Sequence, residues 1–255
     1  MSDGLSWQRL GLLLRNDLKR SYRSALVVSG TLALLALVSP LIGVSDYIGS
    51  IFYQRFFIAV LFIWGTIATS LSFADLHGRT TNTAFLLLPA SALEKTAARL
   101  LVNTVLLIAY LLVYTTVLSW LIESINAFVL GIRRDLFSPF DRLAWSVLPH
   151  YLVAQALFFL GAAWFRKAQY VKTVGAAAVV VFGLCAVAIG VMWLVGLATW
   201  GGGGLQIEGH LGSVVDRPLD WLLDVVLFAY YFALPPLCWF VAWLRVTETQ
   251  VSHGI

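Results

Sequence analysis

The chain has 255 residues, of which 60% are hydrophobic and 12% are charged, and its mean hydropathy is +0.86. Soluble domains carry about 25% charged residues, so the composition excludes a soluble globular protein and predicts an integral membrane protein. The net charge of +4 is typical of basic loops that face the cytoplasm and anionic membrane lipid, and we expect no nucleic-acid partner.

The N-terminal residues 4–23 have the pattern of an amphipathic helix. Five large apolar side chains recur at spacings of three and four residues, which places them on one helix face: they are Trp7, Leu10, Leu14, Leu18 and Tyr22. The basic side chains fall mostly on the other face, as in helices that lie in a membrane interface. We therefore predict an interfacial helix over residues 1–24; the alternative is an ordinary charged N-terminus.

Six apolar segments follow, and each is close to the ~20 residues that a helix needs to cross the hydrocarbon core. They lie at roughly 25–45, 52–74, 97–122, 146–165, 173–198 and 221–244. The sequence shows no internal repeat and no boundary between domains. The predicted fold is an all-α integral membrane protein with six transmembrane helices, in a single domain over residues 1–255.

The distribution of lysine and arginine predicts the orientation. With both termini in the cytoplasm, 12 of the 17 basic residues lie on the cytoplasmic side, whereas the reverse topology violates the positive-inside rule. The N-terminus, the segment between spans two and three, and the C-terminus are therefore all predicted to be cytoplasmic.

The segment between spans two and three is longer than a simple helix–helix connection. Its apolar run Phe85–Leu88 lies outside the membrane and needs a cover. After Pro89, Ser91 and Glu94 have the spacing of a capping box, in which each residue accepts a hydrogen bond from the backbone of the other. A helix is predicted to begin at Ser91 and to continue directly into span three. Residues 75–96 are therefore predicted to offer a surface to a partner; the alternative is a connecting loop.

Motifs that indicate an enzyme are absent from the sequence. It contains no G-x-x-x-x-G-K-[ST] phosphate loop, no G-x-S-x-G elbow and no H-E-x-x-H pair. The spacing of its four histidines does not predict a metal site. We therefore expect that the chain is not an enzyme and carries no cofactor of its own.

Few polar residues fall within the predicted spans. Arg55 and Asp224 lie near span ends, where their charged groups reach water at little cost in free energy. His150 follows a proline at the start of span four. Asn103 and Gln155 are of the type that ties membrane helices together. We favour structural roles for all five, although an ionisable residue at membrane depth is also a candidate functional residue.

Two local motifs resemble one bacterial branch of the permeases of type 2 ABC exporters. The first is Leu88-Pro89-Ala90-Ser91 followed by Glu94-Lys95 and Arg99, and the second is the ending from Arg245 through Thr247–Val251 to Ile255. The six-span layout and the cytoplasmic segment before span three are also similar to that class. The resemblance implies a subunit of an exporter in the bacterial cytoplasmic (inner) membrane.

The resemblance further implies two partners. One is a separate ATP-binding-cassette ATPase subunit that binds ATP and Mg; the other is a second permease, either another copy or a paralogue. Residues 75–96 would then contain the coupling helix, and the turn after span four would make a smaller contact. The docking residues implied are Asp75, His77, Arg79, Phe85, Leu88, Pro89, Ser91, Glu94, Lys95, Arg99, Arg166 and Lys167.

Two other functions stay open at this point. A stand-alone channel or secondary transporter would carry out transport without an ATPase, although no string of acidic residues at membrane depth suggests an ion relay. An intramembrane enzyme or assembly factor would need catalytic groups that converge only in three dimensions, for instance around His150 or Asp224.

Overall fold

The computed structural model describes residues 6–39, 51–77, 90–129, 131, 135–201 and 224–252. Within these ranges the backbone is helical apart from short turns and the loop at 135–141. Six of the described helices are long and apolar enough to cross a membrane. This confirms the predicted α-helical, multi-pass membrane architecture.

The first helix, α1, runs without interruption from Trp7 to Val38. Its 32 residues extend over about 48 Å, which exceeds the ~30 Å hydrocarbon core. The helix continues through residue 24, where the interfacial helix is predicted to meet the first span, because residues 21–27 contain no glycine or proline. Leu10 is buried whereas Trp7 and Leu18 are exposed, and an interfacial position for the first turns of α1 stays a prediction.

The remaining helices follow the predicted spans. The third membrane segment is longer than predicted, and the fourth and sixth are shifted along the chain relative to the prediction. They are α2 (Phe52–Ser70), the short α3 (Ala74–His77), α4 (Ala92–Leu101), α5 (Leu107–Val129), α6 (Arg142–Trp164), α7 (Gln169–Gly201) and α8 (Leu234–Ser252). The structure also contains two π-helical segments. Val102–Leu106 joins α4 to α5, and Ala229–Ala233 precedes α8. The helix from Ala92 to Val129 is thus continuous, as predicted from the capping box.

Helix α6 lies at the centre of the bundle and packs against α2, α7 and α8. Two glycines permit its closest contacts. A Cβ atom on Gly65 of α2 would lie 2.6 Å from the side chain of Tyr151, and one on Gly161 would lie 1.9 Å from Thr173 of α7. Only glycine lets these helices approach so closely.

Buried apolar clusters occupy the two ends of the bundle. At the end where α6 stops, the cluster consists of Phe73, Leu76, Ala92, Phe159, Ala162, Ala163, Ala242 and Val246. At the other end it includes Phe52, Tyr53, Phe57, Leu111, Phe137, Ala144 and Tyr151. Phe137 comes from the loop before α6 and reaches back into the bundle, where its ring lies 5.5 Å from that of Phe57.

Helices α1 and α7 are largely uncovered by the rest of the chain. In their apolar parts, Ser21–Val38 and Gln169–Val187, only 6% of the residues are buried. The exposed side chains there are mostly apolar, so lipid or another protein covers them in a membrane.

Candidate functional site

The end of the bundle that contains the start of α4 brings together most of the described residues predicted to dock a partner. Ser91 is the N-cap of α4, and its side chain accepts a hydrogen bond from the Glu94 N–H at 3.2 Å. The Glu94 carboxylate accepts from the Ser91 N–H at 2.9 Å. The predicted capping box is therefore confirmed, and it satisfies two of the N–H groups that a helix start leaves open.

Glu94 also holds the start of α1, which the sequence analysis did not predict. Its second carboxylate oxygen accepts from the backbone N–H of Ser6 at 2.9 Å. The guanidinium of Arg9 lies 4.0 Å from the carboxylate, and the side chain of Glu94 is fully buried. These donors stabilise the ionised carboxylate. We call Ser6, Arg9, Ser91 and Glu94 the Glu94 cap; it joins segments that are 88 residues apart in the chain.

Arg99 forms a second set of polar contacts one turn further along α4. Its guanidinium donates to the carbonyl oxygen of Ser72 and lies 3.3 Å from the Asp75 carboxylate. The same group stacks 5.2 Å from the centre of the Phe73 ring. Asn103 donates to the Ser72 hydroxyl at 2.8 Å. We call these residues the Asp75–Arg99 network; it fixes the turn between α2 and α3 against α4.

The apolar cluster at this end extends these connections to α6 and α8. Phe73 is fully buried, and its ring meets that of Phe159 edge to face at 5.0 Å. Leu76 of α3, Ala92 of α4 and Val246 of α8 belong to the same cluster. This cluster therefore packs α3 and the start of α4 against α6 and α8.

The turn between α6 and α7 lies beside α3. Leu71 and Ala74 on one side, and residues 166–171 on the other, line an open depression of about 360 Å³. Arg166 and Lys167 are exposed in this turn. Ala168 has a φ of 52°, a conformation that costs an L-residue about 1–2 kcal/mol. The described parts of residues 75–96, namely 75–77 and 90–96, thus lie at the same end of the bundle as the turn after span four.

The predicted docking residues fall into three groups. Glu94, Lys95 and Arg99 are buried within the chain, Asp75 is nearly so, and Ser91 is half-buried. Arg166 and Lys167 are exposed, and His77 ends α3. Arg79, Phe85, Leu88 and Pro89 lie outside the described residues.

At the opposite end, α2 and α5 enclose Glu123, which directly follows the predicted end of span three at residue 122. The Glu123 side chain is buried, and one carboxylate oxygen lies 2.6 Å from the Tyr53 hydroxyl and 3.3 Å from the Asn126 amide. Its other oxygen is buried without a hydrogen-bond partner among the described residues. The 70-residue separation of Tyr53 and Glu123 leaves no local signal of this contact in the sequence.

In the part of the chain that the structure describes, no group of three or more His, Cys, Asp or Glu residues is placed to hold a metal ion.

Comparison of the chain with protein-family models, with curated proteins and with solved structures gave no match.

Proposed function

We propose that this chain is the membrane-spanning subunit of an ATP-binding-cassette exporter, coupled to a separate ATPase subunit at the end that contains the Glu94 cap. The observation that carries the proposal is the continuous helix from Ala92 to Val129. It begins at a cap that also holds α1, so a force applied at its start moves a membrane-spanning helix directly.

The buried charges suit an internal connection better than direct contact with a partner. The Glu94 cap and the Asp75–Arg99 network join α1, α3 and α4 into one unit. In this proposal Glu94 and Arg99 keep the unit rigid, while the exposed Arg166 and Lys167 face acidic groups on the ATPase. ATP and Mg bind to the ATPase, and this chain supplies the path through the membrane.

The uncovered helices support a second permease subunit. Gly175, Gly183 and Gly190 of α7 have open space where a Cβ atom would be, and small residues allow membrane helices to pack closely. We propose that α1 and α7 pair with a second copy or a paralogue in the bacterial inner membrane, with the termini in the cytoplasm.

Co-purification and ATPase coupling test the proposal. The tagged chain is purified in detergent from its own host, and bound proteins are identified by mass spectrometry. We expect an ATPase subunit with a phosphate-loop motif, whose ATP hydrolysis changes when the complex is reconstituted. Recovery of the chain without any such ATPase, from membranes solubilised under mild conditions, would overturn the proposal.

A charge-reversal pair locates the contact. The double variant Arg166→Glu, Lys167→Glu is expected to reduce the recovered ATPase by about tenfold, as for the loss of one to two charge-assisted contacts. Arg55→Glu, an exposed arginine near the opposite end of α2, is the matched control and should not change recovery. Equal recovery with the double variant and the control would contradict contact at this turn.

Glu123 favours a second candidate, a transporter that works without an ATPase. A buried carboxylate within a membrane-spanning helix is a candidate ion-coupling group, and one oxygen of Glu123 lacks a partner within the described chain. This candidate requires solute flux into liposomes that contain only this protein, without ATP, and loss of that flux in Glu123→Gln.

A further inference from the structure

A groove on the side of the bundle combines an apolar wall with a polar edge. It has a volume of about 640 Å³ and is formed by α2, α6, α7 and the π-helical segment before α8. Phe62, Val153, Leu157 and Val181 form most of its apolar part, and Ser146, His150 and Tyr230 stand at its polar edge. A volume of this size is within the range of sites that hold small ligands, about 300–1,000 Å³.

The polar edge is ordered by hydrogen bonds. Nδ1 of His150 lies 3.2 Å from the carbonyl oxygen of Ser146, and Nε2 lies 2.8 Å from the hydroxyl of Tyr231. A carbonyl oxygen can only accept, so in the neutral imidazole Nδ1 carries the hydrogen and Nε2 accepts from Tyr231. The rings of Tyr230 and Tyr231 meet edge to face at 4.8 Å. Tyr230 is 38% exposed, and its hydroxyl is a hydrogen-bond donor at the edge of the groove.

Two helix irregularities lie at the level of this edge. Pro149 is inside α6 and cannot donate a hydrogen bond to the preceding turn. Tyr230 and Tyr231 belong to the π-helical segment Ala229–Ala233, and π-helical turns occur often at functional sites. A missing backbone donor in α6 and a π-helical segment in the neighbouring helix therefore both lie next to His150.

The groove changes in polarity along one face of α6. Arg142, Ser146, His150 and Ala154 are spaced four residues apart, so they follow one ridge of α6. Arg142 is exposed at the start of the helix, one turn beyond Ser146, the first residue of α6 that lines the groove. At 1.5 Å per residue, Ser146 lies about 6 Å, His150 about 12 Å and Leu157 about 22 Å below Arg142. This face of α6 thus passes from a cation, through hydrogen-bonding groups, to apolar side chains, as a membrane leaflet passes from phosphate through ester groups to hydrocarbon.

We propose that this groove binds one diacyl phospholipid from the leaflet at the Arg142 end of the bundle. Its phosphate pairs with Arg142, its ester carbonyls accept from Tyr230, and one acyl chain lies against Val153, Leu157 and Val181. Two features favour a phospholipid over a second copy of the chain as the occupant. The phosphate and the guanidinium have opposite charges, and the polarity along α6 changes in the same order as the polarity along a phospholipid. The inference does not depend on the proposed transport function.

Native mass spectrometry of the detergent-purified protein tests this inference, with dioleoyl phosphatidylglycerol as the probe. The wild type is expected to retain one lipid per chain. Ala154→Trp places an indole in the groove, which Ala154 lines, and should weaken retention by about tenfold or more. Ala109→Trp is the matched control, because Ala109 is exposed on α5 and does not line the groove. Both variants are first checked for unchanged helicity and a single elution peak.

A second comparison tests the phosphate contact. Arg142→Gln should weaken binding of phosphatidylglycerol by about tenfold, the loss of one charge-assisted hydrogen bond, and should leave binding of dioleoylglycerol, which has no phosphate, unchanged. Equal retention by the two tryptophan variants would overturn the proposal. So would displacement of the lipid by water-soluble glycerol phosphate, or loss of a protein dimer instead of a lipid in Ala154→Trp.

Discussion

Replacement of Glu94 by alanine tests whether one buried carboxylate holds both α4 and α1. The change removes the acceptor for the N–H groups of Ser91 and Ser6, each 2.9 Å from a carboxylate oxygen. Loss of a helix cap costs about 1 kcal/mol, and loss of a hydrogen bond to a charged group costs about 1.5–3 kcal/mol. We therefore expect Glu94→Ala to lower the free energy of unfolding by about 2.5 to 4 kcal/mol. The ion pair with Arg9 adds little, because that arginine is half-exposed.

Thermal unfolding and limited proteolysis measure this effect. For a chain of this size 1 kcal/mol corresponds to about 2–4 °C in Tm, so Glu94→Ala should unfold roughly 5 to 16 °C below the wild type. Trypsin should also cut faster after Arg9 and Arg15, because the first turns of α1 lose their anchor to α4.

Ser91→Ala is the matched control. It removes the serine half of the capping box and leaves the bond between Glu94 and Ser6, so it should cost about 1 kcal/mol and leave the rate of cleavage after Arg9 unchanged. If Ser91→Ala and Glu94→Ala have equal effects on Tm and on cleavage, the carboxylate does not anchor α1 and the reasoning is refuted.

Three further substitutions test the packing by changes in Tm. Gly65→Ala should lower Tm, because the added methyl group meets the buried ring of Tyr151 at 2.6 Å and overpacking costs about 1–3 kcal/mol. Ala168→Gly should raise Tm by an amount equivalent to at most about 1 kcal/mol, because glycine adopts the φ of 52° without strain. Arg99→Lys should lower Tm by an amount equivalent to about 1–3 kcal/mol, because lysine lacks the planar fork that contacts a carbonyl, a carboxylate and an aromatic ring at once.

Gly183→Ala is the control for the first of these substitutions. Gly183 lies on α7 with open space around it, so alanine should be neutral or stabilise the helix by up to about 1 kcal/mol. Equal losses of Tm at positions 65 and 183 would contradict the assigned contact with Tyr151. A lower Tm for Ala168→Gly would show that the flexibility of glycine in the unfolded chain outweighs the relief of strain.

Local sequence patterns were sufficient for the helices themselves. Apolar segments of about twenty residues predict spans because a helix must satisfy its own backbone hydrogen bonds in lipid. The Ser91–Glu94 spacing predicted the start of α4, since a capping box involves only residues within one turn. Helix α1 continues past residue 24, because polarity changes there without any residue that interrupts a helix; the interfacial helix over residues 1–24 stays a prediction.

The residues predicted to form the docking site are only partly available to a partner. The sequence marks Glu94, Lys95 and Arg99 as polar and therefore as candidates for contact, yet all three are buried in the chain. Glu94 contacts Ser6, just before α1, and Arg99 contacts Ser72 and Phe73 in the turn between α2 and α3. Among the described residues predicted to dock a partner, the exposed cations are Arg166 and Lys167, in the turn between α6 and α7.

The sequence by itself determined the membrane environment, the helical class, the approximate spans and the cap of α4, because each depends on composition or on residues a few positions apart. Only the tertiary structure decided that Glu94 anchors α1, that Glu123 is buried beside Tyr53, and that His150 meets Tyr231. These pairs are separated by 70 to 88 residues in the chain. Their contacts follow from how the helices pack around α6, and helix periodicity alone does not specify which faces meet.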